Sequence, residues 1–426
     1  MSEDFLYYCW KHQLFDQELL TSNEGETLEI VKRGERNTSS GPDFANAQIR
    51  IANTLWAGNI EIHVKSSDWN LHQHTADEAY NTVILHVVFE NDTDIVNQKG
   101  EKIPVLELKN RINPSLLAHY ERFLQHFSFI PCEKTLIHYS NEFKKSHWIT
   151  RMNFERLESK TDMIQQLLQT KKNDWEAVLF HLLARYFSSK SNREAMEIWA
   201  NSFDFSILKK SLHKPETAEA LQMGQAGFLE KNHPEDAYFE KIKTEYQFLK
   251  EKFSLQPCSA TMFKFYGVCP PNYPTVRIVQ LMALYREYQH LFSLLMGIST
   301  LEKIYPIFEV SVPQYWKNHY QYGKVSSKNQ ERNFTQSFID LLIINVILPL
   351  KYAYYQHVGK ELSDEFEQIL TQIKPEKNHI IKGFEELNFK ANTAWETQGL
   401  LQLYNQYCTP KQCLQCELGS EMLQKR

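Results

Sequence analysis

The sequence predicts an α+β protein: a small mixed β-sheet with flanking helices, followed by a large, mainly helical region. Two observations carry this. Between Thr27 and Leu108 apolar residues alternate with polar ones or form short β-branched runs, whereas after Asn113-Pro114 nearly every segment has the helical period. A third fits both: 42% of residues are hydrophobic and 13% aromatic, with only 14 Gly and 15 Pro, a composition for compact packing rather than disorder. At 426 residues the chain exceeds the usual size of one core, so we expect three regions, 1–114, 115–260 and 261–426.

In order, Phe5 to Leu20 reads as a first helix, Thr27 to Lys32 as a strand, and Gly34 to Gly41 as a polar loop that delivers Asp43 to the next strand. Phe44 to Ile51 alternates so that Ala45, Ala47, Ile49 and Ile51 share a face. A turn at Ala52 to Thr54 then leads into Leu55 to Lys65, making a hairpin. In this second strand Ile60, Ile62 and Val64 point one way and Glu61, His63 and Lys65 the other. Ser66 to Thr75 is a loop, Ala76 to Asn81 a short helical piece, Thr82 to Glu90 a strand buried on both faces, and Lys102 to Leu108 a last strand. Helices are expected at Ser115 to Gln125, Trp148 to Gln169, Trp175 to Phe187, Asn192 to Phe203, Asp236 to Phe253, Thr275 to Leu301 and Asn333 to His357.

The formal net charge of −5 excludes a globally basic coat for nucleic acid, though not a local groove. The first residues lack the pattern of a signal peptide. The most apolar window, Phe338 to Ala353, carries Asp340, Asn345, Pro349 and Lys351 and reads as a buried core helix, so no membrane partner is expected. Seven cysteines, an odd number, suit a reducing compartment, and the expected location is the cytoplasm.

Chemistry concentrates between Gly41 and Val88, where Asp43, Glu61, His63, Lys65, Asp68, His72, His74, Asp77 and His86 lie between apolar runs. Asp43 and Glu61, on adjacent strands, can converge on one Mg²⁺ or Mn²⁺, hard cations that need carboxylates, water and substrate oxygens. Lys65 or His63 would then position the nucleophile. Taken singly, Glu61 and Lys65 are also ordinary partners on a solvated face. The histidines offer a competing zinc chemistry through His63, His72 and His86. In an extended His-x-His the two rings diverge, so at most one of His72 and His74 is expected to touch the site. His86, inside an apolar strand, reads as a buried neutral imidazole.

Pro42-Asp43 at the head of one strand and Glu61-Ile62-His63 in the next, with this element order, resemble the core of the PD-(D/E)xK nuclease superfamily. The resemblance implies that Asp43 and Glu61 hold the metal. The superfamily's lysine is here His63, with Lys65 two residues on, so the third role stays divided between them. His72, His74, Asp68 and Arg277 are the candidates for substrate contact. Over its whole length the chain also resembles an uncharacterised bacterial family, domain of unknown function 2851, through GPDFANAQI, GNIEIHVKSSDW, VILHVV, GQAGFLE, PPNYPTVRI and YCTPKQCLQC. That resemblance implies a bacterial, soluble protein and supplies no activity.

Cys408-x4-Cys413-x2-Cys416 suggests zinc or an iron–sulfur cluster as a structural staple, with Cys258, Cys269 or a distant histidine as fourth ligand. Lys144, Lys145, His147, Arg151, Arg156 and Lys160 form a basic run that can contact phosphates or simply be solvated. The leading expectation is a metal-dependent nuclease acting on nucleic acid. The alternatives are a non-catalytic binding or scaffold protein on a nuclease-like fold, and a zinc-dependent hydrolase of small molecules. Nothing in the sequence speaks to oligomeric state.

Overall fold

The structure, a computed structural model, describes residues 1–37, 40–125, 127–230, 233, 235–361 and 364–424. Residues 38 and 39 of the expected Gly34 to Gly41 loop lie outside the described residues. By its contacts the chain divides into two units. The first comprises residues 1–149, 378–390 and 400–426, and the second 150–377 and 391–399. The division expected near 114 falls inside the first unit, and that near 260 inside the second.

The first unit is built on a mixed sheet of β1 (Leu28–Lys32), β2 (Glu35–Arg36), β3 (Phe44–Ile51), β4 (Thr54–Lys65), β5 (Val83–Glu90) and β6 (Val105–Glu107). Along the sheet the order is β1-β3-β4-β5-β6, with β2 also on β3. β3 and β4 form the expected antiparallel hairpin, whereas β5 runs parallel to β4 and β6 parallel to β5. A parallel neighbour needs a crossover. Between β4 and β5 it is supplied by α2 (Asp68–Leu71) and two short 3₁₀ turns ending at Thr82.

Helix α1 (Glu3–His12) buries Phe5, Leu6, Tyr8, Cys9 and Trp10. It starts where the Ser2 hydroxyl accepts from the Phe5 N–H, and ends where Gln13 turns left-handed, well short of the expected Leu20. The left-handed residue closes the helix by donating its N–H to the last carbonyls.

One irregularity sets the site. Asn46 has φ 56°, and the β3–β4 register shifts between Phe44 and Ala47. This bulge changes the phase of the strand, so Phe44 rather than the expected Ala45 joins Ala47, Ile49 and Ile51 in the core. Phe44 pairs with Ile60, which brings Asp43 beside Glu61 on the opposite face. Further along, Gly58 leaves room for β5: a Cβ there would stand 2.4 Å from Ile84 Cγ2 and 2.5 Å from the Thr82 carbonyl.

The crossover covers the polar face of β4 and β5 with a compact apolar cluster of Trp69, Val83, Val88, Ile95, Ile103 and Val105, with Tyr80 against it. The rest of the unit is helical, including α3 (Pro114–Gln125), α4 (Glu133–Leu136) and the start of α5 (Glu142–Thr170).

Among the described residues, the second unit is helical apart from one small hairpin, His319–Gln321 with Lys324–Val325. Its α6 (Trp175–Phe187) is buried nearly all round. α7 (Arg193–Asn201), α8 (Phe205–Ser211), α9 (Pro215–Gln225) and α10 (Ala237–Phe253) follow. The buried Glu219 of α9 accepts from Tyr238 (2.6 Å), Tyr322 (2.7 Å) and Trp316 (2.9 Å), which is how a carboxyl group is accommodated in a core. The helix expected from Thr275 to Leu301 is broken into Pro274–Glu287, Leu291–Met296 and a turn from Leu301.

The stretch Gln336–Val358 is long and apolar enough to cross a membrane by length and composition. Most of its apolar window (67%) is buried inside the protein, as in a core helix, and a π-turn at Ile343–Ile347 interrupts it.

Candidate metal centre

Asp43 and Glu61 lock together through the backbone of the bulged hairpin. The Asp43 N–H donates to Glu61 Oε2 (3.1 Å), and the Ile62 N–H donates to Asp43 Oδ2 (3.0 Å). The other Asp43 oxygen accepts from Arg36 Nη1 at 2.7 Å, and the same guanidinium lies 3.8 Å over the Tyr7 ring. Asp43 is therefore held in place by a cation and a backbone N–H, and Glu61 keeps Oε1 turned toward the histidines.

Four imidazoles meet there. His63 Nδ1 is 2.8 Å from His86 Nε2, and His63 Nε2 is 3.1 Å from His72 Nδ1. Glu61 Oε1 lies 3.4 Å from His74 Nε2 and 3.6 Å from His63 Nε2. One nitrogen from each of His63, His72 and His74 falls within 4.8 Å of the others, a spacing that could hold a metal ion. His74 is further fixed by stacking on Tyr80, with centroids 3.8 Å apart, and its buried Nε2 lacks a well-aligned hydrogen bond.

Both rings of His72-Gln73-His74 reach the centre, against the expectation of at most one. The reason is local: α2 ends at Leu71 with His72 as its cap, and Gln73, with φ 60° and ψ 27°, reverses the chain so that the rings converge rather than diverge.

Burial sets the protonation. It pulls His63 down to about 2, with the neighbouring imidazoles adding, and His86 down to about 3. These rings are neutral at physiological pH and offer lone pairs. Burial also raises the Glu61 carboxyl above its ordinary range, opposed by its contact with His74. His72 is exposed, so the centre is open to solvent on that side.

Other predicted residues lie elsewhere. Lys65 follows His63 on the same side of β4 but is exposed, within electrostatic range of Glu90. Asp68 accepts the Lys65 N–H at 2.9 Å, closing the turn into α2. Trp69 is fully buried against His74 and His86, whereas Trp56 is half exposed. Arg277, in the second unit, bonds Asn272 and Gln280 and packs 3.9 Å over Phe338. The basic run is largely committed internally: Lys144 to Glu421, Lys145 to Glu142, Arg151 to Glu155, and Arg156 and Lys160 to Asn345. Cys408, Cys413 and Cys416 are free thiols, the last two buried.

Sequence reasoning missed Glu3, Tyr7, Arg36 and Tyr80. Glu3 and Tyr7 sit one turn apart on α1, and Glu3 is within electrostatic range of His72, Asp43 and Asp68. Burial lifts its carboxyl above the ordinary range. Their only signal was a polar stripe on a short amphipathic helix.

The fold and this centre define an α+β protein in which β4 and the crossover that follows it bring Glu61, His63, His72 and His74 together at a spacing that could hold a metal ion. The chain belongs to the family described as Protein of unknown function (DUF2851), whose model matches residues 3–379, all of the centre included. No curated protein and no solved structure matches it.

Proposed function

We propose that the protein is a metal-dependent phosphodiester hydrolase acting on nucleic acid. The observation that carries the reading is the convergence of His63, His72 and His74 within 4.8 Å, with Glu61 Oε1 facing two of them. Imidazole and carboxylate together suit Mn²⁺ or Zn²⁺ better than Mg²⁺, which prefers oxygen donors. A metal at this place would polarise a phosphoryl oxygen and acidify a bound water. Asp43, held by Arg36 and the Ile62 N–H, orients Glu61 through the hairpin backbone. Lys65, exposed two residues beyond His63, is placed to hold a phosphate by charge.

The nuclease form of the reading is supported by the resemblance to the PD-(D/E)xK core. Helix α1, the antiparallel strands and the parallel crossover to β5 follow in that order, with Asp43 and Glu61 side by side. The free cysteines fit a reducing compartment, and we place the protein in the cytoplasm. A second reading, a zinc hydrolase of small molecules, draws on the three imidazoles, a donor set zinc favours.

The test is cleavage of labelled DNA and RNA, single- and double-stranded, in Mg²⁺, Mn²⁺ and Zn²⁺, by wild type and by folded Glu61→Gln, His63→Ala and Asp43→Asn. A cut that depends on Mn²⁺ or Zn²⁺ and disappears in Glu61→Gln and His63→Ala is the expected result. Zinc bound at the centre without any nucleic-acid cleavage would favour the small-molecule reading. A folded wild type that neither binds metal here nor cuts would leave a binding or scaffold protein.

A further inference from the structure

A second cluster of ligand-type side chains stands in the first unit, and its fourth member is one that sequence spacing could not supply. Cys132 caps the short helix α4, its carbonyl accepting from the N–H groups of Thr135 (3.0 Å) and Leu136 (2.8 Å). The stretch around it packs on the C-terminal segment at several independent points. Phe129 stacks on Tyr404 with centroids 5.3 Å apart, Trp148 meets Tyr407 edge-on at 5.6 Å, and Tyr139 and Lys144 both bond Glu421, at 2.7 and 2.9 Å.

That packing brings Cys132 to the three C-terminal cysteines. It lies within electrostatic range of Cys413 and Cys416, and Cys408 lies within range of all three. Cys258 and Cys269, the cysteines first considered as fourth ligand, belong to the second unit.

The C-terminal segment is shaped around its sulfurs. Lys411, left-handed at φ 59°, folds the chain back after Cys408, and the Cys416 N–H donates to the Gln412 carbonyl at 3.1 Å. The Gly419 N–H donates to Cys416 Sγ at 3.4 Å, and the Leu418 N–H faces the same sulfur. Gly419 admits no side chain, since a Cβ would stand 2.6 Å from the Cys413 carbonyl. N–H groups aimed at sulfur are the second-sphere feature of thiolate-bound metal clusters.

All four thiols are free and none is in a disulfide. Four thiols in mutual electrostatic range either stay neutral or repel as thiolates, whereas a cationic cluster among them resolves the repulsion. The pattern also discriminates. Structural zinc sites draw their cysteines as two short-spaced pairs, but here three come from one Cys-x4-Cys-x2-Cys run, the spacing of a plant-type iron–sulfur site, with the distant fourth cysteine preceding the run rather than following it.

We propose that Cys132, Cys408, Cys413 and Cys416 ligate an iron–sulfur cluster that clamps the C-terminal segment to the stretch around α4. Its role is structural, and it does not depend on the hydrolase reading. The full chain, purified without oxygen, is assayed for iron, acid-labile sulfide and zinc, and for visible charge-transfer absorbance. Cys132→Ser and Cys408→Ser are compared with Cys258→Ser. The expected result is iron and sulfide in wild type and in Cys258→Ser, with the absorbance lost in both cluster variants. Should the variants fail to fold, wild type stripped by chelator and reconstituted with iron and sulfide carries the test by regaining the absorbance. Zinc without sulfide, no metal uptake on reconstitution, or a full cluster in folded Cys132→Ser would each overturn the proposal.

Discussion

Asp43 and Glu61 grip each other through the main chain: the Asp43 N–H donates to Glu61 at 3.1 Å while the next residue along β4, Ile62, donates back to Asp43 at 3.0 Å. The two carboxylates are therefore held as one unit. Displacing either strand by one residue breaks both bonds, so the centre depends on the hairpin register.

That register rests on the bulge at Asn46. Asparagine tolerates the left-handed conformation and a β-branched residue does not. Asn46→Val should lose about 1–2 kcal/mol of stability and weaken metal binding, while Asn46→Gly keeps both. Urea unfolding and Mn²⁺ titration of the two variants separate them, and equal behaviour would remove the bulge from the argument.

His86 touches no solvent but bonds His63 at 2.8 Å, and on the proposed metal-centre reading it is the outer partner that orients a ligand ring. His86→Leu should fold and bind Zn²⁺ or Mn²⁺ about 10–100-fold more weakly, and His63→Ala should lose the site. Isothermal titration gives the affinities, and an unchanged one in His86→Leu would mean that the pair is only packing.

Two buried groups on α6 make stability depend on pH in opposite directions. Burial raises Glu176 from 4.5 to about 7, against the Phe292 N–H that it accepts, and lowers His181 from 6.5 to about 4. A raised acid stabilises below its unfolded value and loses that as pH rises, so Glu176 costs stability progressively between pH 4.5 and 7. A lowered base does the reverse, so His181 costs stability as pH falls from 6.5 to 4. Each effect is on the order of 2–3 kcal/mol. Glu176→Gln should leave a stability that climbs with pH through this range, and His181→Asn one that declines, both read from urea midpoints across pH.

Gly224, in the GQAGFLE stretch, lies beneath the Tyr246 ring, where a Cβ would come within 2.1 Å of ring carbon Cδ2. Gly224→Ala should lose about 1–3 kcal/mol through forced repacking. Gly297→Ala, where the nearest atom is 3.5 Å away, should stay within about 0.5 kcal/mol of wild type. Thermal unfolding of the pair decides it.

Where regular periodicity governed, the fold was readable: Phe44 to Ile51, Leu55 to Lys65 and Trp175 to Phe187 form the elements that their patterns indicated. Departures came from single residues whose backbone choice carries no pattern. Gln13 ended α1 early, and Asn46 moved Phe44 inward in place of Ala45, both small shifts of phase among apolar neighbours. Gln73 brought His74 into the centre beside His72. The carboxylates and His63 could be found because strand alternation puts Glu61 and His63 on one face. Glu3, Tyr7 and Cys132 could not, since only tertiary packing makes them neighbours of residues distant in the chain.

The first unit takes in residues 1–149 and then, after a long interval, 378–390 and 400–426. On the ribosome this matters, because synthesis proceeds from the N-terminus and domains fold as they emerge. The sheet and its centre can begin to form early, but the unit that holds them lacks its last segments until residues 378–390 and 400–426 have been made. By then residues 150–377 have all been synthesised. The half of the protein that starts first is the one that must wait to be finished.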